Sequence, residues 1–319
     1  MSTFPDQVFH FGGVPVGMEV LQPRSVRWVC SSQSAAPYAE YSKKTDLNFL
    51  HSTIQLAHDA STSGRNDVVF ITPENHTQTA AVTWSKSSTH LIGMQPSKYA
   101  NGVLIDHTSA LSINNMFYVT GSNNIFENLH FRHAIGTQAD NLTCLKVTGD
   151  GNLFKNCWFE GPCDDSVADL ATARLISLAG ANNTFQNCHI GGTWTPRSAA
   201  NSLVEYTGTT YEATFENCVF NSWIDATTPT FIYVKTGKAQ MMQYYRGCQF
   251  IVMSTNQAYD MANLISFEAD DSTGHHLFDI GCTAVNVTYI TSGVNPRLSC
   301  YWAVSATTST ATGRSITTT

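Results

Sequence analysis

Apolar and polar residues alternate over most of this chain, and one alternating phrase returns five times. It runs aromatic, any residue, Asn or Gly, usually Cys, any residue, apolar. The copies are Phe126-Glu127-Asn128-Leu129-His130-Phe131, Phe154-Lys155-Asn156-Cys157-Trp158-Phe159, Phe185-Gln186-Asn187-Cys188-His189-Ile190, Phe215-Glu216-Asn217-Cys218-Val219-Phe220 and Tyr245-Arg246-Gly247-Cys248-Gln249-Phe250. Their first aromatics lie 28, 31, 30 and 30 residues apart. Alternation with period two marks strands, and a near-constant interval of this length marks one supersecondary unit stacked on copies of itself. The pattern predicts an all-β solenoid, a single-stranded parallel β-helix of seven or eight coils. Phe126, Phe154, Phe185, Phe215 and Tyr245 should stack inward in one column.

A second phrase precedes each copy and ends on Gly: Phe117 to Gly121, Leu145 to Gly149, Ile176 to Gly180 and Val204 to Gly208. Phe231 to Gly237 continues the series with an insertion, which predicts a bulge. Asn124, Asn152 and Asn183 stand two residues before the aromatic. Each turn thus reads strand, Gly/Asn corner, strand, Asn corner, strand, variable loop. Gly and Asn tolerate the left-handed backbone of such corners, and stacked Asn side chains can hydrogen-bond along their column. The outward residue after each aromatic is Glu127, Lys155, Gln186, Glu216 and Arg246 in turn. Opposite charges therefore meet between the first and second turns and between the fourth and fifth, as this register requires.

The ends depart from the repeat. Thr45 or Asp46 could cap a helix over residues 47–60, placed to cover the open N-terminal end of the core. Asp67 to Pro73 then reads as a strongly apolar strand. Residues 1–44, with the Gly- and Pro-punctuated run Phe9 to Gly17, read as an arm that packs on a partner or along the solenoid, an attachment segment in which Val8, Phe9, Phe11, Val14 and Val16 meet the partner. Residues 45–306 form the solenoid domain, and the Thr/Ser-rich residues 307–319 a tail.

Composition narrows the function. Only 13% of the 319 residues are charged, which suits stacked strands and turns. A net charge of −7 leaves no basic footprint for nucleic acid. No apolar run reaches the length of a membrane span, and Met1-Ser2-Thr3-Phe4-Pro5 lacks the features of an export signal, so folding in a cytoplasm is expected. Cys157, Cys188, Cys218 and Cys248 share one repeat position, with Cys282 near the next. That predicts a ladder of buried, reduced thiols, because parallel in-register neighbours do not supply disulfide geometry. No Cys-x-x-Cys or paired His spacing accompanies them, so neither metal nor cofactor is expected.

A helix, the Asp67-Val68-Val69-Phe70-Ile71-Thr72-Pro73 strand, the Leu91-Ile92-Gly93-Met94 segment and the Phe-x-Asn-Cys coils together resemble the pectin-lyase-like right-handed parallel β-helix, over roughly residues 45–300. Within that fold, the low charge and apolar arm resemble tailed-phage virion proteins. The resemblance implies a capsid decoration or cement protein on the head surface of the virion, not an enzyme, assembled as a homotrimer on the major capsid protein. The alternative it implies is a tailspike-like polysaccharide-binding or depolymerising protein; a host-derived adhesin ranks third.

Enzymes of the resembled fold work in a groove on the outer face, with acidic residues as acid, base or Ca²⁺ ligands. The matching residues here are Glu160, Asp164, Asp165 and Asp169, with Arg132 and His133 one turn before and Arg174 after. Four acids in one segment also compose an ordinary turn, which favours the structural reading. Asp270-Asp271 is a weaker candidate of the same kind, and His275-His276 would point to opposite faces of a strand. His130 and His189 share an outward column with Trp158 between them, a stripe able to pack against a neighbouring chain or stack on surface glycan.

Overall fold

The computed structural model describes residues 26–30, 49–95, 102–107, 113–134, 143–209, 211–239, 241–255, 258–268, 275–279, 281–291 and 298–300. Their strands pair in parallel into three long sheets. The first sheet has eleven strands and includes Ile125–Glu127, Leu153–Lys155, Thr184–Gln186, Thr214–Glu216, Met242–Arg246 and His275–Phe278. The second has eight, in the order Asn75–Gln78, Leu104–His107, His130–Arg132, Trp158–Glu160, His189–Arg197, Val219–Ile224, Gln249–Ser254 and Thr283–Val285. The third has seven, from Val82–Trp84 to Ile265–Phe267. The chain visits them in rotation, which makes a right-handed parallel β-helix of about six turns. The expected seven or eight coils are fewer because the terminal strands join the first sheet without a complete turn: seven third-sheet strands bound six full circuits.

Parallel pairing in register places like residues on like. Phe126, Phe154, Phe185, Phe215 and Tyr245 pair directly across the first sheet. Their rings stack at 4.8, 4.7, 4.8 and 5.4 Å with planes within 9° of parallel. Phe278 extends the column at 4.4 Å. Phe131 on Phe159 and Phe220 on Phe250 continue the same logic in the second sheet, at 5.2 and 4.6 Å. Every one of these rings is buried in one continuous core.

The corners carry the polar part of the design. Asn128, Asn156, Asn187, Asn217 and Gly247 all have φ between +52° and +59°, the left-handed backbone that Asn and Gly adopt at least cost. Gly149 answers a different demand, since a Cβ there would overlap the Gly121 carbonyl of the coil before. Asn124 Oδ1 accepts from Thr89 N, Asn152 Oδ1 from Asn124 N and Asn183 Oδ1 from Asn152 N, at 2.8–3.0 Å. Each buried side chain thus satisfies a backbone amide of the preceding coil. Gln243 takes over the role for Ala213 N at 2.9 Å. The insertion before Gly237 makes no bulge: Glu205 and Tyr206 pair with Tyr233 and Val234 without a shift, and the insertion falls in the turn.

The thiols form the expected column. Cys157, Cys188, Cys218, Cys248 and Cys282 are free and buried, and each Sγ donates to the carbonyl of the aromatic one coil back at 3.1–3.4 Å. Burial pushes the Cys188 and Cys218 thiols well above their ordinary value. Outside, Lys155 Nζ meets Glu127 Oε1 at 3.1 Å. Glu216 accepts from Gln186 instead, and Arg246 lies over the Tyr244 ring.

The N-terminal expectations change most. The helix is α1, Ile54–Ala60, capped by Thr53 Oγ1 accepting from Leu56 N at 3.2 Å. Leu50–His51 is a strand instead, because it pairs with Val26–Val29, and long-range ladder bonds override local helical periodicity. Val26–Val29 itself lies within the expected arm, yet it pairs with Asp67–Ile71 as part of the first sheet. Val8, Phe9, Phe11, Val14, Val16 and residues 307–319 lie outside the described residues.

Phe185 stands mid-column with a ring stacked on each side. Phe185→Ala should destabilise the fold by about 3–5 kcal/mol through the cavity it leaves, measured by urea unfolding. A loss below about 1 kcal/mol would mean that the ladder does not hold the coils together.

Candidate active site

Outward positions of the second sheet are two residues apart, so neighbouring columns run side by side along its face. One column is Leu104, His130, Trp158, His189 and Val219. The His130 ring lies 4.3 Å from Trp158 at 6°, and Trp158 lies 5.2 Å from His189 at 9°, a three-ring stack on the outer surface. The Trp158 indole is fixed by donating from Nε1 to the Gly191 carbonyl at 3.1 Å.

The adjacent column holds alternating charges. Arg132 pairs in register with Glu160, and on its other side with the coil that carries Asp106. Asp106 Oδ1 accepts from the His107 amide at 2.8 Å, and Oδ2 is ion-paired with Arg132 Nη2. Glu160 Oε2 accepts from His130 Nε2 at 3.0 Å, and Oε1 accepts from Trp194 Nε1 at 2.6 Å. Two strand spacings, about 9–10 Å, separate the two acids along the face. Burial raises the Glu160 carboxyl, but hydrogen bonds from His130 and Trp194 and the nearby Arg132 outweigh it and hold the group below its ordinary value. The Arg132 side chain keeps about 30% of its surface exposed.

Trp194 reaches this column through an irregularity. The strand His189–Arg197 shifts register against Val219–Ile224 between Gly192 and Arg197. Gly191 has φ +116°, and a Cβ there would overlap the Asn221 carbonyl, so only Gly lets the chain turn here. Beyond it Trp194 folds back one coil onto Glu160 while remaining 66% exposed.

Of the four acids in the predicted segment, only Glu160 joins this face. Asp164 N-caps the short helix α2, Asp165–Ala168, accepting from Ser166 N at 2.9 Å, and Asp165 is exposed in its first turn. Asp169 accepts from Ser198 Oγ at the other end of that helix. His133 is buried beneath the site, its amide bonded to the Glu160 carbonyl at 2.8 Å. Arg174 lies on the third sheet, 3.2 Å from Glu205 and over the Tyr233 ring. His275 is exposed and His276 buried, on opposite faces of their strand; Asp270 and Asp271 lie outside the described residues. Asp106 and Trp194 were missed. Aligning Leu104-Ile105-Asp106 under His130-Phe131-Arg132 would have found the first; nothing in the repeat marks the second. Among the described residues no group of three or more His, Cys, Asp or Glu side chains is placed to hold a metal ion.

No family model matches the chain, and no curated protein matches its sequence. Solved structures do. A pectin methylesterase variant in complex with a hexasaccharide shares 15% identity at a TM-score of 0.58, covering 91% of this chain and 92% of its own. The pectin methylesterase of Erwinia chrysanthemi (15%, TM-score 0.57) covers 90% and 92%, and a pectate lyase (15%, TM-score 0.58) covers 89% and 78%. At such identity the likeness establishes the fold, the pectin-lyase-like right-handed β-helix. The expectation that this chain is not an enzyme is overturned, since these neighbours are all named as enzymes. Its premise fails as well: Glu160 stands on a strand of the second sheet, among His130, Arg132 and Trp194.

The charge arrangement gives a pH test. Because the folded value of Glu160 lies below the unfolded one of about 4.3, its ionised form stabilises the fold above that pH, and the contribution is lost as pH falls through the folded value. Glu160→Gln should cost about 1–3 kcal/mol near neutral pH, and the gap to wild type should shrink as the medium is acidified below about pH 4. Urea unfolding at both pH values checks this; an unchanged gap would contradict the ionised assignment.

Proposed function

We propose that this chain is an enzyme that binds a polysaccharide along the outer face of the second sheet and processes it there. One observation carries the reading: the His130–Trp158–His189 stack runs directly beside the Asp106–Arg132–Glu160 row, with exposed Trp194 bonded to Glu160. The exposed Trp194 indole can receive the C–H face of a sugar ring, the edges of the stacked rings line the same surface, and a guanidinium receives anionic or developing negative oxygen. The neighbours' names favour a pectin-like, uronate-bearing chain, free or esterified. This reading displaces the capsid-decoration role expected from the sequence, because the structures that share the fold are named as enzymes of polysaccharide.

The reaction class follows from which groups are already engaged. Two-carboxylate glycoside hydrolysis needs one carboxyl held protonated to serve the leaving oxygen. Asp106 is committed to Arg132 and Glu160 to two N–H donors, so neither suits that task. A base-initiated reaction at a uronate, elimination or hydrolysis of its ester, fits better.

The test is incubation of the purified chain with esterified and de-esterified pectic polysaccharides, reading acid release, unsaturated ends and reducing ends. Trp194→Ala should raise KM about tenfold, the loss of one stacking contact, and Arg132→Ala should lower kcat about 100-fold. Absence of both binding and product, or variants that behave as wild type, would contradict the proposal.

A further inference from the structure

We infer that His130 is the general base of this site and that Glu160 is its positioning residue; this rests on the polysaccharide-processing reading above. An ionised carboxylate only accepts, so the His130 Nε2 atom 3.0 Å from Glu160 Oε2 must carry the proton. Neutral imidazole has one N–H, and with it on Nε2 the lone pair stands on Nδ1. Nδ1 makes no hydrogen bond to the described residues. Glu160 itself is poorly suited to take a proton from substrate, because Trp194 Nε1 occupies its other oxygen at 2.6 Å. Trp158 completes the arrangement. It stacks flat on the imidazole at 4.3 Å, which fixes the ring plane and leaves the ring edge uncovered by the indole. Carboxylate, imidazole and indole therefore hold one nitrogen ready, each side chain supplied by the second sheet or its bulge.

In ester hydrolysis the step balances without any further reactant. Water forms its O–C bond to the acyl carbon while one of its protons passes to His130 Nδ1. The carbonyl electron pair moves to oxygen, charge of the sign that Arg132 stabilises. Collapse of this intermediate breaks the C–O bond to the alcohol, whose oxygen takes the proton back from Nδ1. Acid and alcohol leave, and the imidazole is neutral again, still Nε2-protonated toward Glu160.

The experiment uses the full chain labelled with ¹⁵N-histidine, His130 being assigned by the signal lost in His130→Gln. The expected spectrum shows the Nε2–H tautomer with a bare Nδ1, and Glu160→Gln, able to donate as well as accept, mixes the tautomers. An Nδ1–H tautomer in the wild-type chain would overturn the inference. Kinetics on methyl-esterified or acetylated polysaccharide supply the second arm. His130→Ala should lose about 10²–10⁴-fold in kcat and recover part of it with added imidazole, which a structural defect would not do. Glu160→Gln should lower kcat while KM changes less than about twofold. His130→Ala at the wild-type rate overturns the base role alone. If the wild-type chain processes no polysaccharide, the functional reading falls and the base role falls with it, while the tautomer still decides whether Glu160 orients His130.

Discussion

Everything in this molecule depends on parallel strands stacking in register, because that forces each side chain to tolerate its counterpart about 4.8 Å above and below. Phenyl rings accept the condition by stacking flat, thiols by donating to the carbonyl one coil back, and corner Asn side chains by accepting from the amide of the preceding coil. Each solution repeats indefinitely, which is why the sequence phrase repeats. Like charges cannot obey the rule at such spacing. Charged columns must therefore alternate in sign, as Glu127 and Lys155 do on the first sheet and Asp106, Arg132 and Glu160 do in three successive coils of the second.

The site grows out of two departures from that regularity. His130, Trp158 and His189 replace aliphatic outward residues by flat rings and turn a stacking rule into an exposed surface. The ladder then breaks after Gly192, letting the strand swing Trp194 back over Glu160. A regular solenoid would show only a flat wall here. The rigid coils fix the distance between charged groups, and the bulge supplies the one side chain that closes over them.

Much of this was legible from the chain. The aromatic ladder, the thiol column, the corner Asn residues and the His130–Trp158–His189 stripe follow from period two and a constant interval. Glu160 was legible as a residue but was grouped with the Asp164–Asp169 turn, because strand and loop meet within two residues of it. Asp106 sits in a coil that lacks the aromatic-Asn phrase, so no register marked it. Phe278 was hidden because Phe278 to Cys282 carries one residue more than the phrase. Leu50–His51, within the expected helix, became a strand through pairing with Val26–Val29, a contact between distant segments that local periodicity does not carry.

The most direct test of this account is an experimental structure of the chain with a pectic hexasaccharide bound. A sugar ring is expected against Trp194, with an acyl or uronate group between His130 and Arg132. Sugar seated on the first or third sheet, with the second-sheet face bare, would contradict it.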